Sequence, residues 1–515
     1  METLREYFSE KGSGSIHTEC VGDFVLPDYN TDVKRVLLTK VTAVDNGCFL
    51  SGDSVDASGV VNYEVVYIDS DGEITSCKFS TDFDASMKCN GDTALGCEAT
   101  TRVVGYSVRL VGPRKFSVKA QLSVNVNLTE KAQLTVDGTS FTIGQPEIKD
   151  MKSSVAYRTY ASALEREYSE KISTLDGVIA DDVTILYSDV LPELNATAVD
   201  GSVDVFGMLH VNTLVMRNGE VPTMITTDVS VNERLSIDEI PDGASLTPAS
   251  HVRDLNVCIE PTEEGVELIA KFNVEYCASA VGNAQLPIIL DCYLTDRGVD
   301  NTYEGFNYRE HISGTRISEN LQFFCTWSEL GLESVREILV TNAYMRTDEI
   351  SVTKSGAKIG GTIRFSGVAC QINDDGGIGY IGIKQDLPFS VNVNLDCKIS
   401  EESRFLLSGY VCSSSAFSTP EGIEISARLT GVLDAFDTNS LTRLACSYAD
   451  SEELEKPSST ITVYYPVDGE TLFDVGRKFH TRPIEIAADN TLTEEAFASE
   501  DSDLRSLGVK RLIIR

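Results

Sequence analysis

Period-two alternation of apolar and polar residues recurs three times at nearly constant spacing, and this recurrence limits the fold of the chain more than any other feature. Phe116, Val118, Ala120, Leu122 and Val124 are interleaved with Ser117, Lys119, Gln121 and Ser123. The pattern returns at Val266, Leu268, Ala270, Phe272 and Val274, and again at Ile423, Ile425, Ala427, Leu429 and Gly431. Such alternation puts one set of side chains on a buried face and the other in water, as in an antiparallel strand. An alanine occupies the centre of each block, at 120, 270 and 427, so the unit repeats after 150 and then 157 residues.

Two further blocks precede each alternating strand in a fixed order. Asp32-Val-Lys-Arg-Val-Leu-Leu-Thr-Lys-Val41, Asp181-Asp-Val-Thr-Ile-Leu-Tyr-Ser-Asp-Val190 and Ser334-Val-Arg-Glu-Ile-Leu-Val-Thr-Asn-Ala343 align without gaps. Each opens on Asp or Ser, whose side-chain oxygen accepts from free amides at a helix start, and each predicts a short helical turn feeding a strand. An apolar run closed by a Gly turn follows each: Val65 to Gly72, Leu214 to Gly219 and Val368 to Gly376. Asp-Gly and Asn-Gly supply the positive φ that tight hairpins need. Residues 157–172 have the Ala, Glu and Arg content of a helix, but their place in the repeat makes them an opening strand. The expected fold is mainly β, with repeats over residues 1–150, 155–310 and 315–450, a polar linker at 451–460 and a separate unit at 461–515.

The last unit has a different pattern. Ile461-Thr-Val-Tyr-Tyr465 reads as a short strand, Asp468-Gly469 as a turn, and Leu472, Val475 and Phe479 as one apolar helix face. Pro483 suits the first turn of a second helix, where its missing amide is harmless. Arg511-Leu-Ile-Ile-Arg515 closes as a strand, completing a βααβ unit.

The 79 acidic residues outnumber the 43 basic ones, and the net charge of −36 argues against a phosphate-neutralising nucleic-acid surface or an anionic membrane partner. No apolar run is long enough to cross a bilayer as a helix, so no membrane insertion is expected. The charged Met1 to Glu10 segment lacks the apolar core of a signal peptide, which predicts a chain outside the general secretory route. Thirteen scattered cysteines without a Cys-x-x-Cys spacing point to a reducing cytosol. Histidines 17, 210, 251, 311 and 480 form no His-x-x-x-His pair, and neither metal nor cofactor is expected. Gly377-Ile-Gly-Tyr-Ile-Gly382 has the spacing of a dinucleotide fingerprint, yet Ile383-Lys-Gln-Asp-Leu-Pro388 predicts an extended run where that motif needs a helix. Asp69-Ser-Asp-Gly-Glu73 lacks the later ligands of a calcium loop and reads as a turn. Trp327, the single tryptophan, is expected in a core.

The C-terminal unit resembles a LysM domain through Val463, Gly469-Glu-Thr-Leu472, Val475-Gly476, Lys478-Phe479, Thr481, Ile486 and Asn490. In that family a glycan containing N-acetylglucosamine lies between the first loop and the loop after the second helix. The resemblance therefore implies Gly469, Glu470 and Thr471 facing Asn490 and Thr491. Two departures imply a different partner: Glu470 in place of Asp, and a second loop swollen with Glu494, Glu495, Glu500, Asp501 and Asp503. Three β-rich repeats ahead of one LysM unit resemble the SipL family of spore-forming clostridia, and Leu26-Pro-Asp-Tyr-Asn-Thr-Asp-Val-Lys-Arg-Val-Leu37 is similar to the opening of its SPOCS domain. That family implies a non-enzymatic scaffold of spore coat assembly in the mother-cell cytoplasm, at the forespore surface. It also implies a partner for the LysM unit, the stage IV sporulation protein A, an ATPase that polymerises into the coat basement layer. The alternative is a peptidoglycan-binding protein of the cell wall or spore cortex.

Overall fold

The computed structural model describes residues 7–88, 96–132, 146–218, 220–372, 376–395, 397–454, 461–492 and 503–515. It is mainly β, as the alternation requires. The first third of the chain supplies β1 (Tyr7–Val25), β2 (Val33–Ser51), β3 (Ser54–Asp69), β4 (Ile74–Lys88), β5 (Gly96–Gly112) and β6 (Lys115–Ala132). The second supplies β7 (Glu147–Tyr160), β8 (Leu164–Asp176), β9 (Val183–Val199), β10 (Ser202–Arg217), β11 (Thr223–Ser236), β12 (Ser245–Pro261) and β13 (Gly265–Tyr293). The third supplies β14 (Arg297–Thr326), the short helix α1 (Trp327–Leu330), β15 (Glu337–Thr353), β16 (Gly356–Ile372), β17 (Ile378–Asn394), β18 (Arg404–Ser418) and β19 (Gly422–Glu453). The chain ends with β20 (Thr462–Tyr464), α2 (Leu472–Phe479), α3 (Pro483–Asp489) and β21 (Leu512–Ile514). No helix among the described residues is long and apolar enough to cross a membrane.

Each third builds two antiparallel sheets with one strand order. The middle strands make a meander: β2-β3-β4, β9-β10-β11 and β15-β16-β17. The outer strands make the second sheet: β1-β6-β5, β8-β13-β12 and β14-β19-β18. The alternating blocks lie on β6, β13 and β19, the strands that are paired on both edges. Their inward face is sealed: Phe116, Ala120, Ala270, Val274 and Ile423 have no solvent exposure. Facing them from the meanders are Val61, Tyr63 and Val65 in the first core, Val203, Val205 and Leu209 in the second, and Ala357, Ile359 and Phe365 in the third. Each fully buried Val, Leu, Ile or Phe side chain contributes about 1.5–3 kcal/mol.

Several expected boundaries shift. The break placed at 310–315 falls inside β14, the start at 155 falls inside β7, and β19 runs past 450 to Glu453. Central strands outlast their cores. β13 pairs with β8 over Gly265–Tyr276 and then with β7 over Ser279–Tyr293, whereas β14 alone accompanies β19 through both stretches. These extensions keep strand composition; Gly282-Asn283 and Ser313-Gly314 are turn-type pairs within them, yet the chain runs on as strand, with β14 shifting register against β19 between His311 and Ser313. The expected linker begins within β19, and residues 455–460 lie outside the described residues. The 157–172 stretch is strand, divided between β7 and β8.

The expected helical turns are corrected too. Only Ala180–Asp182 forms one, a single 3₁₀ turn, while β2 starts at Val33 and β15 at Glu337 with no helix at Asp32 or Ser334. At Asp32 a hairpin takes the place of the cap: the Asp32 carbonyl accepts from Ser70 N at 2.7 Å and Thr31 Oγ1 donates to Asp69 at 2.6 Å. Asp69 also accepts from the amides of Asp71 and Glu73, so the supposed calcium-like run is a turn held by its own carboxylate. Trp327 is 9% exposed and donates through Nε1 to the Pro420 carbonyl at 3.1 Å.

Equivalent residues of the three aligned segments meet at a common centre. Leu37 and Leu38, Leu186 and Tyr187, and Leu339 and Val340 form one buried cluster with Val66, Leu214 and Val368 from the neighbouring strands. Two positions further along the segments, Lys40 and Asp189 form an ion pair between the first and second thirds. Lys78 lies 3.2 Å from Glu64 and 3.1 Å from Ser188 Oγ, and Tyr187 donates to Asp189 at 3.2 Å. Between the first and third, Arg364 donates to the Val104 carbonyl at 2.9 Å and Arg35 to that of Tyr380. Arg428 and Glu193 pair at 2.8 Å between the third and second. The dinucleotide-like glycines enter β17, an extended strand, and Gly382 packs so closely on the Leu37 backbone that a Cβ would overlap its carbonyl.

Candidate functional site

The βααβ unit is formed as its sequence pattern predicts. β20 and β21 pair antiparallel, with Val463 opposite Ile513. Leu472, Val475, Ile486, Ala487, Leu504, Leu512 and Ile514 make its core, and Phe479 packs against it beside Tyr464, ring to ring at 5.2 Å. Thr471 caps α2 in a reciprocal capping box with Asp474, which satisfies the backbone amides of both residues. His480 ends α2 in the left-handed region, at φ 51°, and Pro483 starts α3.

The residues expected to face a ligand are largely engaged within the unit. Gly469 sits at φ +87°, where a side chain would strain the turn. The Glu470 carboxylate accepts from Tyr464 OH at 2.7 and 2.9 Å and from Val467 N at 2.9 Å, and its carbonyl accepts from Leu504 N at 2.9 Å. Thr471 is 6% exposed, and its Oγ1 accepts from Asp474 N at 3.2 Å while donating to the Asp474 carboxylate at 2.8 Å. Asn490 bridges α3 to β21: Nδ2 donates to the Ile486 and Ile513 carbonyls, both at 2.7 Å, and Oδ1 accepts from Ile513 N at 2.6 Å. Thr491 adopts φ 50° just beyond. These bonds tie Gly469 to Thr471 to the turn ahead of α2, and Asn490 to the closing strand; they do not join the two loops to each other. Of the acidic second loop, Glu494, Glu495, Glu500 and Asp501 lie outside the described residues, while Asp503 accepts from Arg505 N at 3.0 Å.

One run of apolar side chains of the unit faces solvent. Ile461, Val463, Tyr465 and Val467 are 68, 52, 63 and 54% exposed, and Ile513 opposite Val463 is 36% exposed. The Lys478 ammonium stands 4.6 Å over the Tyr464 ring and is held above its usual range, chiefly by the hydrogen bond to Tyr464 OH. These residues carried a readable signal, the alternation of large apolar residues from 461 to 467, but as a strand rather than a surface. A contact with no sequence signal also appears: the α2–α3 turn rests on the end of β13, at Tyr293. Among the described residues, no group of three or more His, Cys, Asp or Glu side chains is arranged to hold a metal ion. No family model, curated protein or solved structure matches the chain.

Proposed function

We propose that the chain is a SipL-like, non-enzymatic scaffold of endospore coat assembly, with SPOCS-like repeats as its body and a LysM-like unit that docks the stage IV sporulation protein A ATPase. The supporting observation is the division of labour in the C-terminal unit. Its candidate polar groups, on Glu470, Thr471 and Asn490, are engaged internally, while Ile461, Val463, Tyr465 and Val467 stand in solvent. Glycan recognition needs free polar groups converging on hydroxyls; adjoining exposed apolar side chains suit a protein partner. Immobilised full-length chain is expected to retain the purified ATPase, and a chain ending at Leu454 to lose it. Val463→Asp, at an exposed position outside the core of the unit, is expected to weaken retention without lowering the melting temperature. Retention that survives the truncation rejects the reading. Co-sedimentation with purified sacculi instead favours the peptidoglycan-binding alternative.

A further inference from the structure

The C-terminal unit meets the rest of the chain through one compact set of contacts. Tyr293, the last residue of β13, is 2% exposed; its OH donates to the Thr481 carbonyl at 2.8 Å and its ring meets Phe473 edge-on at 5.1 Å. Gly476 lies flush against it, since a Cβ there would overlap the Tyr293 OH. Around this centre, Arg477 pairs with Asp291, Arg482 lies 3.4 Å from Glu147, and His480 Nδ1 is 3.3 Å from the Leu294 carbonyl. Arginines sit on one side and carboxylates on the other, with an aromatic ring in the middle. This is the arrangement of a specific interface: a desolvated aromatic anchor within a charged rim.

We infer that the α2–α3 turn is a second docking surface, which takes the acidic, tyrosine-bearing end of β13 from its own chain and so fixes the orientation of the C-terminal unit. None of these contacts uses Gly469, Glu470, Thr471, Asn490 or Thr491, nor the exposed side chains of Ile461 to Val467. The unit is therefore held by one end and displays the other. In this arrangement the extended pairing of β7, β13, β14 and β19 acts as a stalk, and the ligand class of the turn is an extended segment with a carboxylate two residues ahead of a tyrosine.

Hydrogen exchange of the full-length chain, followed by mass spectrometry, tests the assignment. Arg477→Asp, at a side chain outside the core of the unit, is expected to raise exchange severalfold in peptides covering 473–482 and 288–296 while those covering 512–514 stay protected. Tyr293→Phe, which keeps the ring and removes the bond to Thr481, is expected to do the same more weakly. Parental protection of 288–296 in both Arg477→Asp and Tyr293→Phe overturns the proposal.

Discussion

Glu64 is 8% exposed where the first two thirds of the chain meet, and burial pushes its carboxyl above the usual range, outweighing the nearby Lys78 and Lys40 ammonium groups. A carboxyl whose folded pKa exceeds its unfolded one binds more protons folded than unfolded. Its contribution to stability is therefore complete below about pH 4.5 and is lost as pH rises through the folded value. Glu64→Gln keeps an acceptor for Ser188 N and cannot ionise. The variant is expected to gain stability relative to the parent chain as pH climbs from 4 toward 7, which urea unfolding at a series of pH values checks. Thr471 and Asn490 were expected, from the resemblance, to face a ligand, and both are bonded within the unit. Residue type and spacing do not reveal whether a hydroxyl or amide points outward to a ligand or inward to a cap and a closing strand.

Among the elements, β6, β13 and β19 were the most legible, because alternation over many residues leaves one way to bury the apolar set. Their central alanines, 120, 270 and 427, are 0, 0 and 1% exposed. Each lies where two sheets approach, so Ala270→Leu is expected to cost about 1–3 kcal/mol through overpacking. Denaturant unfolding followed by far-ultraviolet circular dichroism measures the loss, and an unchanged midpoint contradicts the proposed closeness of the sheets. Shorter elements were harder to read. Asp32 and Ser334 have cap-type side chains, but a cap forms only if the following residues are free to wind. Here Val33 and Glu337 start strands already fixed by their neighbours, with β3 on one and β16 on the other. Long strands posed the opposite problem: β14 carries the turn-type pair Ser313-Gly314 near its midpoint, where its register against β19 shifts, but pairing with β19 before and after that point keeps it extended.

At the scale of the molecule, the three thirds of the chain share a centre in which Leu37, Leu186 and Leu339 are each less than 5% exposed. Gly382 shows how tight the joint is. Gly382→Ala would force a methyl group into the Leu37 carbonyl and is expected to destabilise the chain by about 1–3 kcal/mol, with the loss seen in the unfolding of the cores of the first and last thirds alike. Hydrogen exchange of peptides from β2 and β17 separates this outcome from a local change confined to β17. The glycine spacing that imitates a nucleotide loop is thus explained by backbone approach. By itself the sequence determined the mainly β fold and the βααβ ending, because periodicity and turn chemistry are local and each residue reports its own exposure. Only the tertiary structure decided that the recurring segments converge, that β13 and β19 outrun their cores, and that the C-terminal unit rests on Tyr293. Those outcomes depend on which faces meet across long stretches of chain, and a single alternating strand is compatible with many partners.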